Sequence, residues 1–250
     1  MGERYVSGYV LLVDPSSRGC TMERRDFVKI CAGAVAWVYA KPDLLAANMT
    51  SAQTHNRVLL SDNAGKPILA SSLSTSDAYI FHYPYVSTPC FLINLGKAVP
   101  AQTINGEKWP GGVGKQQSLV AFSAICSHQF SYPTKKIAFI NYNPKKTKVA
   151  DRPQTIVCCA HQTVFDPSKA AQVITGPTKV PLTTIVLEYD QSKDHLYAIA
   201  TLGKDYYADF FRAYKRDLID LYGRGKAKHK VENNSVALLH SDYTSQKVLC

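Results

Sequence analysis

The stretch A-I-C-S-H-Q-F, residues 124–130, is answered later in the chain by V-C-C-A-H-Q-T-V-F-D-P, residues 157–167. Each places a cysteine just ahead of a histidine, as Cys126-x-His128 and Cys158-x-x-His161. Both follow strand-like runs, S-L-V-A-F-S-A-I and T-I-V. Two loops at strand ends can face each other and bring four ligands together. Two thiolates and two imidazoles suit either zinc or an iron–sulfur cluster.

Around these motifs the chain is patterned for strands. R-V-L-L, K-P-I-L-A-S, A-Y-I-F-H-Y-P-Y and P-C-F-L-I-N-L are short β-branched or aromatic runs separated by Gly, Pro, Asn and Ser. A turn-rich segment follows, N-G-E-K-W-P-G-G-V-G-K. Further runs are I-A-F-I-N-Y, Q-V-I-T, T-T-I-V-L-E-Y and H-L-Y-A-I-A-T-L. No alternation of strands with long helices is present, so the pattern predicts an all-β, antiparallel domain. One segment differs: Tyr206, Phe210, Tyr214, Leu218 and Leu221 fall at spacings of three and four. That predicts a helix packed on the sheet, stopped at Gly223. The polar, basic run after Gly223 is expected to be a mobile tail. The expected organisation is an N-terminal extension and signal at 1–40, a linker at 41–56, the ligand-bearing domain at 57–203, and a helix with a basic tail at 204–250.

The paired motifs resemble those of Rieske [2Fe-2S] proteins. The resemblance runs from about Leu60 to Leu202 and is strongest from Val120 to Asp190. Phe165-Asp166-Pro167 stands where that family has an aromatic-Asp pair. G-P-T-K-V-P-L, from Gly176, is similar to the family's third, proline-containing loop. The resemblance implies an antiparallel β sandwich with a small cluster-binding subdomain. It implies that Cys126 and Cys158 bind one iron and His128 and His161 the other. Thr163, Phe165, Gly176 and Pro177 would then form the surrounding shell. It also implies one-electron transfer, as a subunit of an oxidoreductase complex rather than a stand-alone enzyme. Cytochrome bc iron–sulfur subunits and arsenite oxidase small subunits are the branches it most resembles. A structural zinc protein of the envelope and a Rieske component of an oxygenase system are the alternatives. The second would need a further iron site with two histidines and a carboxylate, and His55, His82, His195, His229 and His240 form no close helical pair.

Departures from the family pattern carry consequences. Many respiratory members join their two ligand loops by a disulfide; Ser131 and Ala160 stand at those positions here. Cys159 is offset by one, and is expected to be unpaired. High-potential members have a serine and a tyrosine that donate hydrogen bonds to cluster sulfur. Here those positions are Thr163, which can donate, and Phe165, which cannot. Fewer such bonds destabilise the more negative reduced state, so the potential is expected below the top of the roughly −150 to +300 mV Rieske range.

The rest of the chain bears on location and partners. Arg24-Arg25 precedes Phe27 and an apolar stretch from Ile30 to Ala40. That stretch is too short to span a bilayer but suits a signal segment, and the twin arginine resembles the bacterial Tat signal. Met22 would be the start, Val38-Tyr39-Ala40 a cleavage site, and an uncut segment a short membrane anchor. The expected location is the periplasmic side of a bacterial inner membrane. The formal net charge is +10, nearly all of it outside the first 40 residues and densest from Lys135 to Arg152. With no nucleic-acid motif beside it, that charge points to an acidic partner or anionic headgroups. The expected partners are a redox protein, such as a cytochrome or a catalytic oxidoreductase subunit, or quinol. Lys145, Lys146 and Lys148 lie in the spacer between the two ligand loops and are expected to shape that choice. Seven cysteines in irregular positions do not make a disulfide framework. Cys90, within a strand run, is expected to be buried.

Overall fold

The computed structural model describes residues 52–104 and 106–250. The expected signal, anchor and cleavage site, and residues 41–51 of the expected linker, lie outside those residues. Among the described residues, no helix is long and apolar enough to cross a membrane.

The described chain is mostly β. Its strands are β1 (Gln53–Ser61), β2 (Tyr79–His82), β3 (Pro89–Asn94), β4 (Gln102–Ile104), β5 (Glu107–Trp109), β6 (Leu119–Ser123) and β7 (Ile140–Asn143). Then come β8 (Thr155–Cys158), β9 (Thr163–Asp166), β10 (Gln172–Thr175), β11 (Thr184–Asp190), β12 (His195–Leu202), β13 (Asn234–Val236) and β14 (Leu238–Leu239). They form an eight-stranded sheet in the order β13-β1-β12-β11-β6-β3-β2-β14, a four-stranded sheet β10-β9-β8-β7, and the hairpin β4–β5. Pairings between strands are antiparallel except β1 with β13.

The large sheet is buried on both faces, which explains why its strands read as nearly continuous apolar runs. Side chains alternate across a strand. Cys90 and Leu92 of β3, with Ala121 of β6 and Ile185 and Leu187 of β11, fill one core with Val58 and Leu60. Phe91, Ile93, Phe122 and Val186 point the other way, into a second core. There they meet Ile140, Ile156 and Phe165 from the small sheet. Burying each such Phe stabilises the fold by about 2 kcal/mol.

Several expectations need correction. The sheet begins at Gln53, inside the expected linker. K-P-I-L-A-S forms an isolated bridge from Ser61 to Pro67 and one turn of 3-10 helix rather than a strand. The turn-rich segment includes a strand, β5, which pairs with β4 just ahead of it. The C-terminal helix is two helices, α1 (Tyr207–Ala213) and α2 (Lys215–Tyr222), parted at Tyr214. Neither Pro nor Gly marks that break. The Tyr214 ring packs against Tyr132, 4.9 Å between centroids.

The run after Gly223 is not a mobile tail. β13 pairs with β1 at one edge of the large sheet, and β14 pairs with β2 at the other. Only Ala237 separates them, so one short segment joins both edges and closes the sheet on itself. The Ser235 hydroxyl accepts the His82 N–H at 2.8 Å, and the Ala237 N–H donates to the Ser61 carbonyl at 2.8 Å. A short helix, α3 (His240–Tyr243), follows. Closure removes the exposed sheet edges that invite association.

Ala237 is 5% exposed. Ala237→Asp would bury an unpaired carboxylate, at a cost of about 3 kcal/mol or more. Urea unfolding is expected to show a lowered midpoint with a single transition. An unchanged midpoint would mean the segment lies outside the cooperative unit.

Candidate metal centre

The two ligand loops come from different sheets. Cys126 lies three residues past the end of β6. Its loop is closed by the Cys126 N–H donating to the Ser131 carbonyl at 2.8 Å and the Phe130 N–H donating to the Cys126 carbonyl at 2.9 Å. Phe130 takes a left-handed conformation there, φ 59°. Cys158 is the last residue of β8 and pairs across the hairpin with Thr163, the first of β9. His161 therefore sits in the four-residue turn between them, with Gln162 left-handed at φ 55°.

The four predicted ligands converge as two pairs. The thiols of Cys126 and Cys158 are both buried and hydrogen-bonded to each other. The rings of His128 and His161 meet edge to face, with centroids 4.7 Å apart. His161 is exposed and His128 half-buried. Among the described residues, no three His, Cys, Asp or Glu side chains are grouped so as to hold one metal ion.

The surroundings favour sulfur that carries negative charge. The backbone N–H groups of His128 and Gln129 donate to the Cys126 sulfur. Those of Ala160 and His161, and the Ser131 hydroxyl, donate to the Cys158 sulfur. The hydrogen bond from Cys126 is the largest influence on Cys158 and pulls its pKa down to about 7. The same bond, aided by burial, pushes Cys126 upward. The donors at Cys158 thus favour its thiolate, the form that binds metal.

An [2Fe-2S] cluster fits the donor set. Nδ1 of His128 is buried without a hydrogen-bond partner, as a ligand atom would be. Oγ1 of Thr163 is likewise buried and unpartnered, free to donate toward a sulfur. Phe165 is fully buried in the core between the sheets and offers no polar atom.

A third loop joins the other two. The Ser127 hydroxyl donates to the Val180 carbonyl at 2.6 Å, tying the first loop to the third. Gly176, at φ +131°, presses on Thr163 so closely that a Cβ there would come 2.8 Å from the Thr163 Cα. Pro177 is exposed beside it. Asp166 caps the turn after β9 through Ser168 and pairs with Arg152. Burial opposes ionisation of Asp166, but Ser168 and Arg152 outweigh it and hold the carboxyl below its ordinary range.

Sequence reasoning missed the first loop's main support. α1 and α2 pack on that loop rather than on a sheet: Tyr132 meets Phe210 at 5.1 Å, and the Tyr206 hydroxyl donates to the Ile125 carbonyl at 3.1 Å. The aromatic spacing of the helices was the available signal, but it does not name their partner. The expectation that Cys159 is unpaired is wrong: it forms a disulfide with Cys250. The strand period explains how the adjacent thiols stay apart. Cys158 faces the core between the sheets, and Cys159 faces a separate cluster with Ala150, Val157 and Val164. Part of the expected basic insertion is also core, because Ile140–Asn143 is β7 and wholly buried. Cys90 is buried as expected, His229 is exposed, and His82 and His195 lie in strands away from the ligand pairs.

No family profile matches the chain. Iodate reductase subunit IdrB of Pseudomonas sp. (strain SCT) is 28% identical over 190 residues, covering 76% of this chain and 83% of that protein. Iodate reductase subunit IdrB of Denitromonas iodatirespirans is 28% identical over 200 residues, covering 77% and 89%. Among solved structures, the soluble domain of Rieske protein II (soxF) from Sulfolobus acidocaldarius overlays with a TM-score of 0.46 at 21% identity, covering 61% of this chain and 82% of that one.

The contact between Gly176 and Thr163 makes the third loop testable. Gly176→Ala combines a backbone clash with a left-handed strain, costing about 2 kcal/mol. It is expected to lower the thermal midpoint and to broaden the amide signals of residues 163 and 176. An unaltered midpoint would show that the third loop does not press on the second. Two Cys–His loops thus come together as a sulfur pair and an imidazole pair beside a third, proline-containing loop, on a mostly β chain that is similar to the iodate reductase subunits IdrB and resembles Rieske-type iron–sulfur proteins.

Proposed function

We propose that the chain passes single electrons through a [2Fe-2S] cluster held by Cys126, Cys158, His128 and His161, as a subunit of an extracytoplasmic respiratory oxidoreductase. The two-sided site carries this reading: buried thiols paired on one side, imidazoles in edge contact at the surface on the other. A mononuclear zinc site needs its ligands around one point at roughly 2.0–2.3 Å. Ligands arranged as two separate pairs suit two metals instead.

When bound, such a cluster supplies a one-electron couple. The chain's own groups set its terms. Backbone N–H donors on both sulfurs favour negative charge there. The apolar core behind the cysteines excludes water and strengthens each of those interactions. Exposed His161 offers the edge at which a partner can approach. His128 lies half-buried beside it, with Nδ1 buried and unpartnered.

Both named relatives are subunits of iodate reductases. That supports a catalytic partner subunit that reduces an oxyanion, with a cytochrome or quinol at the other end of the electron path. The basic spacer suits an acidic partner. Lys145, Lys146 and Lys148 are exposed, and the Lys148 N–H donates to the Cys250 carbonyl at 3.2 Å, beside the second ligand loop. The Cys159–Cys250 disulfide supports an oxidising compartment, as does the twin arginine at 24 and 25. Membrane attachment, if the segment at 30–40 stays uncut, belongs to the same reading.

The decisive test is chemical. Purified protein is expected to contain iron and acid-labile sulfide in equal amounts and to give a reduced-state electron paramagnetic resonance signal, both lost in Cys126→Ser. Zinc without sulfide would overturn the proposal. A second outcome concerns Phe165. Phe165→Tyr would add a hydroxyl where none donates, and a hydrogen bond to a charged acceptor is worth about 1.5 kcal/mol. For a one-electron couple that is roughly 60 mV, so a redox titration is expected to move upward by up to that amount. A lower potential would place the ring away from the sulfurs.

A further inference from the structure

The positions at which many relatives cross-link their two ligand loops are Ser131 and Ala160 here. The second loop nevertheless carries a covalent tether of another kind. Cys159 follows directly on ligand Cys158 and is bonded to Cys250, 91 residues away in sequence. The last seven residues reach that bond along a defined track. The Thr244 hydroxyl donates to the Thr134 carbonyl at 2.6 Å, and the Ser245 N–H to the Lys135 carbonyl at 2.9 Å. The Ala138 N–H donates to the Gln246 carbonyl and the Val248 N–H to the Ala138 carbonyl, both at 2.9 Å. The Asn141 side-chain amide then donates to the Val248 carbonyl at 2.9 Å. The run therefore lies along the start of β7, the outer strand of the small sheet, and ends at the ligand turn.

We propose that residues 244–250 are a strap whose disulfide positions the second ligand loop, with Cys159 and Cys250 as positioning residues for Cys158 and His161. This rests on the cluster reading given above. Within the turn, the Ala160 and His161 N–H groups bond only the neighbouring Cys158 sulfur, which does not tie the turn to the rest of the chain. Ala160, His161 and Gln162 are all exposed. At its entry the Cys159 N–H donates to the Phe139 carbonyl at 2.7 Å. Exposed turns with few such bonds open locally at little cost. With the disulfide in place, opening the turn also requires lifting the strap. The strap in turn is continuous with β13 and β14, which close the large sheet. A cross-link spanning so long a loop removes much of the freedom of the opened state.

The test compares wild-type protein with the Cys159→Ser/Cys250→Ser double variant, and with wild type whose disulfide has been reduced by a phosphine. In the cluster-free protein, amide exchange at residues 159–163 is expected to rise about tenfold or more, while exchange in β1 and β12 stays unchanged. In the loaded protein, visible absorbance is expected to be lost to an iron chelator faster by a similar factor, with a broadened reduced-state resonance signal. The reduced wild type keeps the experiment decisive if the double variant does not fold. Unchanged exchange at 159–163 in the reduced protein overturns the proposal. Absence of iron and sulfide from wild type would instead sink the cluster reading, and the exchange arm would still report on the strap.

Discussion

Cys126 leaves the large sheet and Cys158 ends a strand of the small one, so their thiols can meet only where the two sheets pack. Both belong to the core that joins the sheets, along with Phe91, Phe122, Ile140, Ile156 and Phe165. The meeting of the two thiols is thus set by a packing constraint. Any shift between sheets moves one ligand loop relative to the other. Dense cores resist such shifts because they deform poorly. The third loop adds a polar tie through Ser127 and Val180 and a close contact between Gly176 and Thr163. The first loop is braced from outside by α1 and α2.

Burying two thiols that must carry charge is costly unless that charge is met. The site meets it mostly with backbone. N–H groups at 128, 129, 160 and 161 point at sulfur because tight turns after each strand turn their amides inward. This requires unusual backbone angles at Phe130 and Gln162. Such strain is tolerated where the surrounding structure over-determines it. The same turns deliver His128 and His161 to the other side, so one local geometry serves both ligand types.

The cysteine and histidine pairs are legible because their motifs are local: Cys-x-His and Cys-x-x-His each lie on one loop after one strand. The sheets were legible because β3, β6, β8 and β11 are buried on both faces and therefore continuously apolar. What failed was non-local or short. β13 and β14 span three and two residues, too few to show a period, and N-N-S-V-A-L-L-H follows a basic, polar run that reads as a solvated tail. Their role is topological, joining two edges far apart in the sequence. The break at Tyr214 coincides with a ring contact to Tyr132, on a different element. Helical spacing cannot reveal such a contact.

The Cys158–Cys159 pair brings these strands of argument together. Adjacent residues at the end of a strand point to opposite faces. If one faces the core between the sheets, the other must face away from it, and the two thiols cannot both be ligands. Spacing to His161 selects Cys158, which leaves Cys159 on the outer face with Val157's neighbours Ala150 and Val164. A thiol held there can be met only by a partner that arrives from outside the hairpin. Cys250 is that partner. The strand period therefore separates the buried thiol pair from disulfide chemistry across a single peptide bond, and the segment that closes the large sheet extends to a covalent link with the hairpin of the small one.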